Sequence, residues 1–237
     1  MMFNCPLSAE KAQELIAHLG LEYQHRVVDI GCGQGEFLFQ IHQKTQANCL
    51  GLDIQPNEIA VANNKVAQHP DAAIRFLATD VKYAELESGA YKLAVCLGST
   101  HAFGEGEMAY PDALTNMADL VGENGLILVG EPYWKQVPAK EYLDFIGEPV
   151  GVYRSHEQNI QVAEALDLIP VYVRCSHHDE WDSFEWGFRY KAEQEALAEP
   201  GNSERKQKLA SVREWNRHYR LYGRETMGFG FYLYLKP

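Results

Sequence analysis

The chain has 237 residues, 46% of them hydrophobic and 23% charged, and its 33 acidic against 21 basic side chains give a formal net charge of −12. That length suits one sizeable α/β domain, with or without an inserted cap, and the acidic balance argues against a nucleic-acid backbone as the main partner. Five scattered cysteines without a Cys-x-x-Cys pair argue against both a disulfide framework and a thiolate zinc site. No apolar run approaches the roughly 20 residues of a bilayer span, so no membrane partner is expected. The first residues lack the basic start and apolar core of a secretory leader, which makes the cytoplasm the expected compartment.

Helix and strand signals alternate from the start, the mark of a parallel sheet with crossover helices. Ser8 can cap a helix running to about Leu19, and Gly20 can close it. The first strand is Arg26–Ile30. A glycine loop, Gly31-Cys32-Gly33-Gln34-Gly35, follows and reopens as a helix over 36–44. The second strand is Asn48–Asp53, and Pro56 fits the first turn of a helix to about Ala67. The third and fourth strands cover 73–78 and 92–97, the fourth ending at Gly98-Ser99-Thr100-His101. A helix over 111–120 leads through Gly122-Glu123-Asn124-Gly125 into the fifth strand, 126–130.

The rhythm then changes. Glu131-Pro132-Tyr133-Trp134 opens a loop-rich stretch to Tyr153, with a short helix near 139–145. A helix over 156–166 precedes the sixth strand, Ile169–Cys175. An insert over 177–224, split into two helices by Pro200-Gly201-Asn202, comes before the last strand, 228–235. Trp181, Phe184 and Phe188 share one face of its first helix, and Leu209, Val212, Trp215 or Asn216, Tyr219 and Tyr222 one face of its second; such stripes read first as core. The expected architecture is an α/β, doubly wound, seven-stranded and mostly parallel sheet of Rossmann-like type. Its last strand is antiparallel, and one domain spans 1–237 with the helical insert between strands six and seven.

The glycine loop carries the most chemistry. A strand that breaks into glycines and reopens as a helix leaves backbone N–H groups free at the helix start. Asp29, two places before the first glycine, selects among ligands. A dinucleotide pyrophosphate gains nothing from a carboxylate there, whereas a ligand bearing an ammonium does, and S-adenosylmethionine (SAM) has such an amine. Asp53 ends the second strand 20 residues beyond Gly33, where an acid can accept from both ribose hydroxyls of an adenosine. The NAD fingerprint needs a glycine where this chain has Glu36. Asp80 ends the third strand and can accept from an adenine amine while the Val81 N–H donates to a ring nitrogen. The plain alternative for Asp80 is a helix cap.

Together these residues resemble the class I SAM-dependent methyltransferases, over roughly 26–134 and in that family's order. The resemblance implies that Asp29 and the backbone of Gly31, Cys32, Gly33 and Gly35 hold the methionine portion. Asp53 would hold the ribose, Ile54 would pack on the adenine face, and Asp80 with Val81, beside Thr79, would hold the adenine edge. The Leu97 and Gly98 carbonyls would approach the amino group. The Asp/Asn-Pro-Pro-aromatic loop of nucleic-acid amino-methyltransferases is absent after strand four, as is the paired-glutamate loop of arginine methyltransferases. No metal-ligand spacing stands out, so no metal is implied.

Methyl transfer then needs an acceptor site at the same sheet edge. His101, just past strand four, is the candidate general base or substrate orienter. Its alternative is a bond to backbone or solvent. Tyr110, Tyr133, Trp134, Trp181 and Trp186 are the candidate walls of an acceptor pocket, and Glu131 the other polar candidate, alternatively a loop brace. The insert would serve as a lid over a small-molecule substrate, or as packing against the sheet or a second subunit in a homodimer. A nucleotide-dependent oxidoreductase and a SAM-binding module without turnover are the competing readings.

Overall fold

The computed structural model describes residues 2–237. Seven strands form one sheet: β1 (Arg26–Ile30), β2 (Asn48–Asp53), β3 (Ile74–Ala78), β4 (Tyr91–Leu97), β5 (Val121–Trp134), β6 (Ile169–Cys175) and β7 (Met227–Leu235). Their order is β3-β2-β1-β4-β5-β7-β6. β1 to β5 pair in parallel, whereas β7 runs antiparallel to both β5 and β6. The order reverses between β1 and β4, and at such a switch point an open α/β sheet leaves a crevice beyond its strand ends.

Helices cover both faces. α1 (Ala9–Ala17), α2 (Glu36–Thr45) and α3 (Pro56–Ala67) bury apolar side chains against one face, including Leu15, Leu38 and Ile59. α4 (Ala109–Leu120) and α6 (His156–Glu164) cover the other with Leu114, Met117 and Ala163. A short helix, α5 (Lys140–Ile146), lies beyond the end of β5, and the insert is a pair of helices, α7 (His178–Ala198) and α8 (Ser203–His218). α8 runs into a π-turn over Tyr219–Gly223. The strand assignments from sequence agree closely, with β5 as the exception.

β5 runs on through Pro132 to Trp134 because β7 pairs with it along its whole C-terminal half, Glu131 facing Gly230 and Trp134 facing Met227. β4 stops pairing at Leu97, opposite Gly130. The Gly130 carbonyl accepts from Gly98 on the β4 side, and Trp134 N–H donates to Arg154 O on that same side. Two-residue alternation therefore aims the proline nitrogen of Pro132 at the edge that β4 vacates, where a missing N–H breaks no ladder bond. The expected turn over 122–125 survives as an irregularity, where the β4 register jumps from Tyr91–Val121 to Leu93–Leu126.

The insert is anchored to the main body by charge as well as by packing. Trp181 joins the core cluster that contains Phe229 and Leu15. One residue earlier, Glu180 accepts from Lys11 Nζ of α1, from Ser8 N–H at 3.3 Å and from His177 N–H at 2.9 Å. Lys11 Nζ also donates to the Cys175 carbonyl at 2.6 Å. Both side chains of the pair are buried, Lys11 at 7% and Glu180 at 3% exposure. Burial alone would raise the Glu180 carboxyl, but the donors from Lys11, Ser8 and His177 outweigh it and hold it below the ordinary carboxylate range.

Removing one partner of a buried ion pair strands the other charge, so Lys11→Met is expected to lose about 3–5 kcal/mol in urea unfolding at neutral pH. A depressed carboxylate contributes stability above its unfolded pKa and loses it as the pH falls through the folded value. The gap between wild type and Lys11→Met should therefore narrow toward acid. A gap that stays constant between neutral pH and pH 3 would contradict this assignment.

Candidate active site

The two left-handed glycines that bracket the loop turn are forced by their neighbours. Gly31 has φ +73°, and a Cβ there would overlap the Ser99 side chain of the loop after β4. Gly35 has φ +71°, and a Cβ there would run into the Phe76 ring. Four of the loop's N–H groups are committed, while those of Gln34 and of Glu36 and Phe37 at the helix start have no acceptor among the described residues. Gly31 and Cys32 both donate to Leu52 O, at 2.8 and 3.0 Å, and Gly35 donates to Cys32 O at 2.9 Å. Gly33 N–H donates to Asp53 Oδ2 at 2.9 Å. What the glycines themselves offer is close approach and a held Asp53.

Asp53 is fixed from both sides, since Gln55 N–H donates to its Oδ1 at 2.8 Å. Each oxygen keeps a lone pair for a further donor. Asp53 shares a cleft of about 310 Å³ with Ile54, Thr79, Asp80, Val81 and His101. Ile54 is 65% exposed, an apolar side chain presented on the cleft wall. Asp80 does cap the following 3-10 turn, accepting from Lys82 N–H with Oδ1 at 2.9 Å. Its other oxygen and the Val81 N–H, which opens the turn, are left for a ligand. The cap does not use up the side chain.

Asp29 lies deeper, 3% exposed, in a smaller recess of about 50 Å³ with Gly31, Cys32 and Leu97. No hydrogen bond to its carboxylate forms among the described residues. Burial, and then the nearby Asp53, push its pKa well above the ordinary value. A buried acid without a partner is costly. The donor set fits SAM on these grounds: a lone carboxylate for the ammonium, a braced acid for the ribose, and an apolar face with an acid beside it for the adenine.

A third cavity, also about 310 Å³, opens beside the recess on the α7–α8 side. Asn4, Cys5 and the β4 end at Leu97–Gly98 join the two spaces. Seven aromatic rings line this chamber: Tyr142, Tyr153, Trp181, Phe184, Trp215, Tyr219 and Phe229. Its carboxylates are Glu185, which is 6% exposed, and Glu148, which is exposed. Among the described residues no lysine, arginine or histidine lines it.

Of the six acceptor-wall candidates, Trp181 alone lines the chamber. Trp134 stands behind it, its Nε1 bound to Val150 O at 2.8 Å and its ring against Tyr142 and Tyr153. Glu131 and Tyr133 alternate onto the opposite face from Pro132, which does line it. Glu131 is buried and accepts from Thr100 Oγ1 at 2.9 Å, so it braces the β4 loop; burial raises its carboxyl to about 8 despite that bond. Tyr133 covers Gly228 and packs 5.3 Å from His156. Tyr110 is a core residue whose hydroxyl meets that of Tyr234 at 2.9 Å. Trp186 is 43% exposed and carries Arg189 on its ring at 5.3 Å. His101 is exposed in the wall of the Asp53–Asp80 cleft and does not line the chamber.

Sequence reasoning missed Asn4, Cys5, Tyr142, Tyr153 and Glu185. Glu185 had one signal: an acid next to Phe184 and one turn beyond Trp181, on the aromatic face of its helix.

Residues 27–125 match the family model described as a methyltransferase domain. A SAM-dependent methyltransferase from Geobacter sulfurreducens, solved with S-adenosyl-L-homocysteine, superposes with a TM-score of 0.88 at 23% identity, over 99% of this chain and 94% of that one. The corresponding structure from Thiobacillus denitrificans, with the same ligand, gives 0.87 at 22% identity over 100% and 94%. YjhP of Escherichia coli is 23% identical over 96% of this chain and 91% of its own, and its crystal structure gives a TM-score of 0.86 over 99% of this chain and 95% of that one. Residues 27–125 thus match the methyltransferase-domain model, and the chain from end to end has the fold of these SAM-dependent methyltransferase structures.

Proposed function

We propose that the protein transfers a methyl group from SAM to an O, N or S atom of a small-molecule acceptor held in the aromatic chamber. The observation that carries this reading is Asp29, a buried carboxylate without a hydrogen-bond partner among the described residues, in the recess beside the chamber. The relatives solved with S-adenosyl-L-homocysteine support the cofactor. SAM supplies a methyl group on a sulfonium, whose leaving group is already activated. The chain's own work is to hold the acceptor in line and keep water away. Asn4, Cys5 and Gly98 form the passage between the two spaces, and the α7–α8 pair supplies the aromatic wall, as a lid would.

An oxidoreductase reading is disfavoured because Glu36, where the dinucleotide fingerprint needs glycine, starts α2 and pairs with Lys65 at 2.9 Å. A binding module without turnover has no need of a second chamber joined to the first. Incubation with labelled SAM and a small-metabolite extract should yield a labelled small product, and no transfer to any fraction would count against catalysis.

Asp29→Asn keeps the shape and removes the charge. Its affinity for SAM in calorimetry should fall at least about tenfold, the scale of one hydrogen bond to a charged group. Its ligand-free form should melt no lower than wild type, because an unpaired buried charge has gone. A raised carboxyl pKa means that wild-type stability is lost as the pH rises through the folded value. The melting difference between variant and wild type should therefore widen from acid toward neutral pH. Unchanged SAM affinity would refute the role of Asp29.

His101→Ala tests the displaced base. Turnover is expected to stay within about threefold of wild type, and a loss of about 100-fold or more, the effect of removing a general base, would reinstate it.

A further inference from the structure

We propose that the acceptor carries a cationic amine, seated against the aromatic wall of the chamber with Glu185 as its counter-charge; this deepens, and rests on, the methyl-transfer reading above.

The chamber's composition is one-sided. Seven aromatic rings and two carboxylates line it, without a basic side chain among the described residues. An anionic group would face acids with nothing to neutralise it, whereas a cation gains from both ring faces and carboxylate. A wholly apolar acceptor would leave Glu185 buried without purpose. Glu185 Oε2 accepts from Trp215 Nε1 at 3.0 Å, and that is its one hydrogen bond among the described residues. No lysine or arginine pairs with it, in contrast to Glu180, Asp182 and Glu193 on the same helix.

The groups that face it are likewise uncharged or acidic: the Tyr142 hydroxyl from α5, and Tyr219 from the π-turn after α8, whose own hydroxyl is committed to Asp182 at 2.8 Å. Burial, opposed by the Trp215 bond, pushes the Glu185 carboxyl up to about 7. An arriving ammonium supplies the missing partner and draws it into the ionised form. Trp181, in the same wall, keeps a buried indole N–H without a partner.

The test uses the full chain saturated with S-adenosyl-L-homocysteine and three probes of similar shape: benzyltrimethylammonium, its uncharged analogue neopentylbenzene, and phenylacetate. The ammonium probe should quench tryptophan fluorescence saturably and raise the melting temperature. The neutral and anionic probes should do so at least about tenfold more weakly, and Glu185→Gln should lose about the same factor for the ammonium alone. Unchanged S-adenosyl-L-homocysteine affinity in Glu185→Gln reports an intact fold. Equal binding of the neutral probe, preference for the anion, or undiminished ammonium binding in Glu185→Gln would each overturn the proposal. Loss of S-adenosyl-L-homocysteine binding by wild type would instead sink the reading beneath it. The labelled product from the extract should be retained by a cation-exchange resin at pH 7, and a product that flows through would also overturn the proposal.

Discussion

A carboxylate without a partner at the heart of the sheet organises this molecule. Asp29 is flanked by Gly51 and Val95 on the neighbouring strands and receives no hydrogen bond from the described residues. Folding tolerates such a group because the surrounding lattice is over-determined. Gly31 cannot be enlarged against Ser99, Gly35 cannot be enlarged against Phe76, and Gly51 has Phe76 and Cys32 in its way. Backbone bonds from Gly31 and Cys32 to Leu52 tie the turn to β2. The loop is thus held in place by the protein itself, and an ammonium is the partner proposed for its unpaired acid.

The same bracing orders the neighbouring spaces. Asp53 is oriented by the Gly33 and Gln55 N–H groups, and the loop after β4 is braced from below by the Thr100–Glu131 bond. The N-terminal segment lies across the recess, with Asn4 over Gly33 and Cys5 beside Gly98. It is pinned by α1, whose Lys11 is buried against Glu180 of α7. One ion pair therefore ties the strap over the Asp29 recess to the helix that lines the aromatic chamber. Along α7, Glu180, Asp182, Glu193 and Glu195 each pair with a lysine or arginine, whereas the buried Glu185 has no such partner among the described residues.

Much of the cofactor side was legible because strand ends are local features. Asp29, Asp53 and Asp80 close successive strands, and parallel pairing alone brings such positions to one edge of the sheet. The acceptor side was hidden because it depends on which face a residue takes and on a helix pair packed from far along the chain. Continuing β5 past Pro132 set Glu131 and Tyr133 on the wrong face, a consequence of β7 pairing that the proline masked. Tyr110 and Trp186 were read as pocket walls from residue type alone, and they proved to be core and outer surface. The N–H groups of Gly31, Cys32 and Gly33 are taken up by Leu52 and Asp53, whereas those of Glu36 and Phe37 at the start of α2 keep no acceptor among the described residues.

The account rests on Asp29 gaining its charge partner from the cofactor, and proton release on binding reads that event directly. Calorimetric titration of SAM at pH 6, where an α-amino group still holds its proton, in buffers of different ionisation enthalpy gives the protons released. Wild type should release a fraction of a proton up to a whole one as the Asp29 carboxyl ionises against the ammonium, and Asp29→Asn should release measurably less. Identical proton release in the two proteins, with SAM bound by both, would contradict it.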